Sequence, residues 1–246
     1  MKNSAGMSYR MVRPSHKAAK LAALLSGLVL SAALPASAAD CRAVPAASVD
    51  WQGCTKSKLM LSGSELGSAN LVETDLSQTD LRDSNLAGAN LEKAALYRSS
   101  LAGSNAEKAN FSRIEGYRTD FQSISASGAS FVSAELQRAD FSNARLDSAD
   151  FQKAELGRAN FAKATISNAN FARANLSRVN LNQAKFDGPL ELTGSFLFLT
   201  RLEGLDLTQA KGLQQWQIDQ ACGDAATKLP TGLQVPAKWT CQPDEE

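Results

Sequence analysis

Five arginines in this chain recur at one interval: Arg98, Arg118, Arg138, Arg158 and Arg178 stand twenty residues apart. Lys93, Arg113, Lys153 and Arg173 keep the same interval five residues earlier, with Ser133 interrupting. Cations repeated along a line can hold a repeating anion by charge and by paired hydrogen bonds. Tyr97 and Tyr117 precede two of the arginines at the same spacing. Tyr-Arg pairs of this kind suit sugar or partner recognition, and equally an aromatic ladder that only stabilises the fold. Glu115, Glu135 and Glu155 run in parallel three residues ahead of Arg118, Arg138 and Arg158. The arginines therefore have two readings: a binding strip, or a self-neutralised salt-bridge ladder of modest energy that fixes register. Arg98 and Arg178 favour the strip, since Ala95 and Asn175 stand where their glutamates would be.

Catalytic chemistry has little to work with. The chain has one histidine, His16, inside an apolar-cored leader, so the remainder can build neither a Ser-His-Asp or Cys-His set nor a His-ligated metal site. No catalytic residue, cofactor or metal is expected. Carboxylates are frequent but none falls in an expected cleft, which leaves glycosidase chemistry without a pocket. The cysteines come as Cys41 and Cys54 near the start and Cys222 and Cys241 near the end. An even set in an oxidising compartment reads as disulfides, with three pairings open; the two local ones close short loops and are preferred. Zinc is the rival reading, weakened by the absence of C-x-x-C spacing.

The leader sets the compartment. Lys2, Arg10, Arg13, Lys17 and Lys20 precede the apolar run Leu21 to Leu34, and Pro35-Ala36-Ser37-Ala38 supplies an A-x-A site. Residues 1–38 thus read as a secretory signal peptide, too short in its apolar part to span a bilayer. An uncleaved anchor is the alternative; a lipoprotein signal is disfavoured because Asp40 precedes Cys41. Cleavage removes five of the 26 basic residues and none of the 25 acidic ones, leaving a net charge of −4. The expected location is periplasmic or secreted, with no stable membrane insertion after cleavage and no nucleic-acid partner.

The elements that position the arginines follow from a period of five. From Leu61 a large apolar residue returns at every fifth place through Leu101, and again as Phe111, Phe121, Phe131, Leu136, Phe141 and onward to Phe186. Two places earlier sits a small residue, as in Ala129 to Ala174, and Asp or Asn often lies between, as in Ala139-Asp140-Phe141. Five matches neither a helix nor a flat strand; on a helix it would smear the apolar residues around the whole surface. The A-(D/N)-(L/F)-x-x frame resembles the pentapeptide-repeat family over residues 59–212. That resemblance implies an all-β fold, a right-handed four-sided parallel β-helix of about seven coils, on the order of 34 Å long at about 4.8 Å per coil. Phenylalanines every ten residues support a 20-residue coil independently, because they alternate large and small faces in a core of constant section. Ala106, Gly116 and Ala126 leave that core thin. The frame breaks at Gly188-Pro189 and resumes one residue out of phase at Leu202 and Leu207, so an irregular stretch is expected near 187–200, with Phe196 to Leu199 packed there.

Open solenoid ends need covers. Residues 39–58 form a disulfide-stapled N-terminal cap with Trp51 over the first coil. Residues 213–246 give a helix over Leu213 to Cys222, stopped at Gly223, and a disulfide-closed extended tail. This ending is similar to the tails of other bacterial pentapeptide proteins. The function expected is a non-catalytic exported scaffold meeting a protein or an anionic glycan or lipopolysaccharide of the envelope. An acidic front (Glu65, Glu73, Asp75, Asp80, Asp83) and a basic rear allow end-to-end self-association. The alternative is DNA mimicry aimed at a topoisomerase, as in some members of that family. It fits poorly, since residues 59–187 carry 15 acidic and 14 basic side chains.

Overall fold

The computed structural model describes residues 39–239 and 241; the leader expected over 1–38 lies outside the described residues. The chain divides into Met1–Ser37 and Ala38–Glu246, and the fold is that of the second unit. That unit is a solenoid of five-residue repeats whose parallel bridges join residues twenty apart, such as Asp120 with Asp140 and Glu135 with Glu155.

One repeat shows why the sequence takes this form, because all five of its N–H groups find partners. In Asp150 to Ala154, the N–H of Asp150 donates to Ala129 O, that of Phe151 to Asn170 O, and that of Lys153 to Ala172 O, at 2.7–3.0 Å. The Ala154 N–H closes the turn on Phe151 O at 3.0 Å. The remaining N–H, of Gln152, donates to the Asp150 side chain at 2.9 Å. This is the reason for Asp or Asn before the large residue: its side chain satisfies the one N–H of the repeat that no backbone carbonyl takes. Where Asn holds the place, its amide also bridges coils, as from Asn160 to Asp140 at 3.1 Å. The second residue after the large one turns the corner in the left-handed region, at φ 60° for Lys153 and 63° for Arg158.

The core is built of columns. Phe111, Phe131, Phe151 and Phe171 stack with centroids 4.7–5.0 Å apart, and Phe121, Phe141 and Phe161 stack at 4.7–4.8 Å. The two columns meet edge to face at 5.6–5.9 Å. Two of the three thin places are refilled from the other inward position. Ile114 and Ile124, both fully buried, stand where alanine is usual and precede Gly116 and Ala126 by two. A Cβ on Gly116 would come within 2.9 Å of Leu136 Cδ2, so the next coil occupies the space as well.

Three expectations are corrected. The bridging begins before residue 59: Asp50 pairs with Asn70 and Thr55 with Asp75, because Trp51 and Lys56 take the frame position in place of Leu or Phe. Trp51 is fully buried and its Nε1 donates to Ala43 O at 3.2 Å. Lys56 Nζ lies 3.9 Å from the Trp51 ring centroid and donates to Cys41 O at 2.9 Å; burial lowers its pKa, against the pull of Asp40. The irregular stretch is shorter than 187–200. One inserted residue near Gly188 suffices, Leu192 and Leu197 are buried again, and bridges of 21 residues join Asn175 to Phe196 and Asn180 to Arg201. Last, the helix is only Gln215–Ile218 (α1). Gln217 turns inward to donate to Leu192 O and Ser195 O, and the chain leaves the helix at Asp219 so that Cys222 can bridge Arg201. Ile218, Ala221 and Cys222 are buried as their spacing predicts. The disulfides pair Cys41 with Cys54 and Cys222 with Cys241.

Candidate functional site

Each member of the arginine column occupies the corner of its repeat, with φ between 53° for Arg98 and 63° for Arg158, and all five are exposed. Fixing the same corner at every coil holds the side chains in one line, at the coil spacing that the phenylalanine stacks set inside. Exposed Lys58, at φ 60°, stands at the head of the same column, forty residues before Arg98.

The salt-bridge ladder with Glu115, Glu135 and Glu155 does not form. Among the described residues no carboxylate lies within ion-pair distance of Arg98, Arg118, Arg138, Arg158 or Arg178, nor of Lys153 or Arg173. The reason lies in which columns a corner side chain reaches. Lys93 pairs with Glu73 at 2.9 Å, and Arg113 with Glu92 at 2.8 Å; both acids sit one coil back on the same turn. Behind the five arginines those places hold Ser77, Gln78, Tyr97, Tyr117, Gln137 and Gly157, or another arginine. The glutamates work elsewhere: Glu115 accepts from Tyr97 Oη at 2.7 Å, and Glu155 from Asn175 Nδ2 at 2.8 Å. Asp120 and Asp140, which follow Arg118 and Arg138 by two, accept from Ser100 and from Gln122 and Asn160. Of the expected strip, then, Lys93 and Arg113 are neutralised and the remaining cations are not.

The tyrosines do not form an aromatic ladder either, as no ring contact joins them. The bond to Glu115 pushes the Tyr97 phenol up to about 12, helped by burial and by the charges of Glu115 and Glu135. Arg118 Cζ lies 5.3 Å from the Tyr117 ring centroid, a weak cation–π contact at an exposed site. The frame slip near Gly188 adds a feature that the arginine spacing does not reveal. It brings Phe196 one coil beyond Asn175, and Phe198 one coil beyond Ser177. Both rings are exposed, at 43% and 40%, and stack at 6.2 Å with 17° between planes. Counting the frame through Leu192 and Leu197 in place of Glu191 and Phe196 would have found them.

Elsewhere the surface is poor in reactive groups. A depression of about 290 Å³ at the slip is lined by Phe186, Asp187, Gly188, Asp206, Thr208 and Gln209. Hydrogen bonds from Thr208 and Lys228 hold the Asp206 carboxyl down at about 2, so it is no proton donor near neutrality. Among the described residues no group of three or more His, Cys, Asp or Glu is placed to hold a metal ion. No helix there is long and apolar enough to cross a membrane.

A family model described as pentapeptide repeats matches eight copies, over residues 61–96, 117–152, 127–161 and 154–188. The matched residues lie within the five-residue repeats of the solenoid and make up less than half of the chain. No curated protein matches. Among solved structures the chain is similar to HetL of Nostoc sp. strain PCC 7120, a pentapeptide repeat protein involved in heterocyst differentiation regulation. The identity is 24%, covering 75% of this chain and 91% of HetL, with a TM-score of 0.39. It is also similar to the pentapeptide repeat protein Rfr23 of Cyanothece 51142, at 31% identity over 41% of this chain and 62% of Rfr23, with a TM-score of 0.31. A pentapeptide repeat protein of the Arabidopsis thaliana thylakoid lumen matches at 21% identity over 43% of this chain and 70% of its own, TM-score 0.27.

Proposed function

We propose that this pentapeptide-repeat protein is an exported scaffold of the bacterial envelope, periplasmic or secreted, that engages an anionic partner through its arginine column. The observation that carries the reading is the five arginines in one line with no carboxylate paired to them. Cations that a fold leaves unneutralised at a fixed interval repel one another by an amount worth about 1 kcal/mol per neighbouring pair in water. A bound polyanion relieves that repulsion, whereas an internal ladder would have removed it already. The leader at 1–38 supports export, and the paired cysteines suit an oxidising compartment.

The scaffold itself is a right-handed, four-sided β-helix of about seven coils in this reading, covered at both ends. Four bridges per twenty residues support the four sides, and the burial of Trp51 and Ile218 supports the covers. The test replaces Arg98, Arg118 and Arg178 with Ser and measures binding to lipopolysaccharide and acidic envelope glycans at low and high salt. Binding by the parent that weakens in salt and falls in the variant is expected. Failure of the parent to bind any of them overturns the proposal.

A further inference from the structure

Resting on that reading, we propose that the ligand of the arginine face is a linear acidic polysaccharide of the polyuronate type. Its chain runs along the column, and a sugar ring at one end stacks on Phe196 and Phe198. The two phenylalanines and the arginines belong to one surface by register. Asn175 bridges Phe196 in parallel, and the Arg178 N–H donates to Phe198 O at 2.8 Å. The next place in the arginine column itself is Leu199, at φ 54°, and the aromatic pair flanks it, one coil beyond Asn175 and Ser177. No protein cation lies over either ring among the described residues, in contrast with Tyr117 and Trp51. A flat, uncovered pair of rings beside the end of a line of cations fits a ligand that is anionic along its length and has apolar faces of its own. A pyranose uronate has both, since its ring C–H groups form a flat apolar side and its carboxylate repeats once per ring.

Spacing separates this class from other polyanions. The coils rise 4.7–5.0 Å, as the phenylalanine stacks show, close to the length of one pyranose ring. An extended acidic peptide presents side chains on one face about every 6.6 Å. A DNA duplex presents one phosphate per strand about every 3.4 Å. The peptide is out of step with the arginines at the next coil, and the duplex meets them only at every second coil. One glutamate points the same way. Glu135 is exposed on the flat of the coil, across the corner from Arg138, and its carboxylate has no hydrogen-bond partner among the described residues. A carboxylate there opposes a ligand that is charge alone, but accepts hydrogen bonds from one that also carries hydroxyls.

The experiment titrates the full chain with polygalacturonate oligomers, with poly-aspartate of equal charge, and with neutral dextran. Polygalacturonate should bind most tightly, poly-aspartate more weakly, and dextran not at all. Phe196→Ala with Phe198→Ala should weaken polygalacturonate about tenfold, the loss of one ring-stacking contact, and leave poly-aspartate unchanged. Phe198→Trp should restore part of the loss. If poly-aspartate binds as tightly as the uronate, or if the double alanine variant binds the uronate undiminished, the ligand class is wrong while the arginine strip stands. If neither polyanion binds, the uronate proposal falls, and the arginine strip falls with it only if lipopolysaccharide also fails to bind.

Discussion

The phenylalanine columns allow a stability prediction that separates ring stacking from volume. Phe141 touches four other rings: Phe121 at 4.7 Å and Phe161 at 4.8 Å in its own column, Phe131 at 5.6 Å and Phe151 at 5.7 Å in the other. Phe171 is as well buried but touches only two, Phe151 at 5.0 Å and Phe161 at 5.9 Å. Replacing either by Leu removes nearly the same volume from a fully enclosed site. That common part costs about 1 kcal/mol. Each ring pair adds about 0.5 kcal/mol at the low end of measured values, so Phe141→Leu loses about 2 kcal/mol more and Phe171→Leu about 1 kcal/mol more. The expected totals are about 3 and about 2 kcal/mol, read as shifts in the urea midpoint at constant slope by far-ultraviolet circular dichroism. Equal costs would refute the argument, since volume alone would then account for both. A larger cost at Phe171 would show that the slip next to it, and not the stack, limits stability.

Further outcomes follow from local geometry. Tyr97 should ionise well above the ordinary tyrosine range in an absorbance titration, and Glu115→Gln should bring it back; an unchanged titration in the variant would deny the bond. Because folding holds that phenol neutral, its contribution to stability is complete below pH about 10 and is lost as pH rises towards about 12. Gly223→Ala should displace Trp239, whose ring lies where the new methyl would sit; a red shift and quenching of fluorescence would report it, and an unchanged spectrum would deny the contact. The disulfides close stretches of 13 and 19 residues. Replacing either pair by Ser should lower stability by about 3 kcal/mol in urea, with no further loss from added reductant when both are gone.

The fold is legible because a period of five leaves so few solutions: Leu66, Leu71 and Leu76 can all be buried only if the chain turns between them. The inward alternation of large and small residues is readable for the same reason, and the disulfide pairing because the two local pairings close short loops. Residues that use the frame for something other than bulk are not. Lys56 sits at a core position, which hydrophobicity alone reads as the end of the repeat; its acceptors, Cys41 O and Ala43 O, come from a segment with no pattern. Ile114 and Gly116 look like two defects and are one compensated pair. Phe196 and Phe198 look like core because their neighbours are leucines, and a shift of one residue moves alternate side chains from inside to outside. The helix reads longer than it is because Ile218, Ala221 and Cys222 share a face in helical and non-helical turns alike.

The arginine column shows most clearly how little sequence distance says about ion pairing in a solenoid. A glutamate three residues ahead looks adjacent, yet it lies across a backbone corner and serves the flat of the coil, where Glu155 takes its hydrogen bond from Asn175. The partners that count are twenty or so residues back, on the same turn, as Glu73 and Glu92 are for Lys93 and Arg113. A protein stabilised by an internal ladder would place acids at the positions of Tyr97, Tyr117, Gln137 and Gly157. Putting them there would test the reasoning directly. Gln137→Glu should pair with Arg158, give a small gain in stability of the order of 0.5 kcal/mol, and weaken the binding of any polyanion. Stabilisation without loss of binding would show that the ligand does not lie on this column.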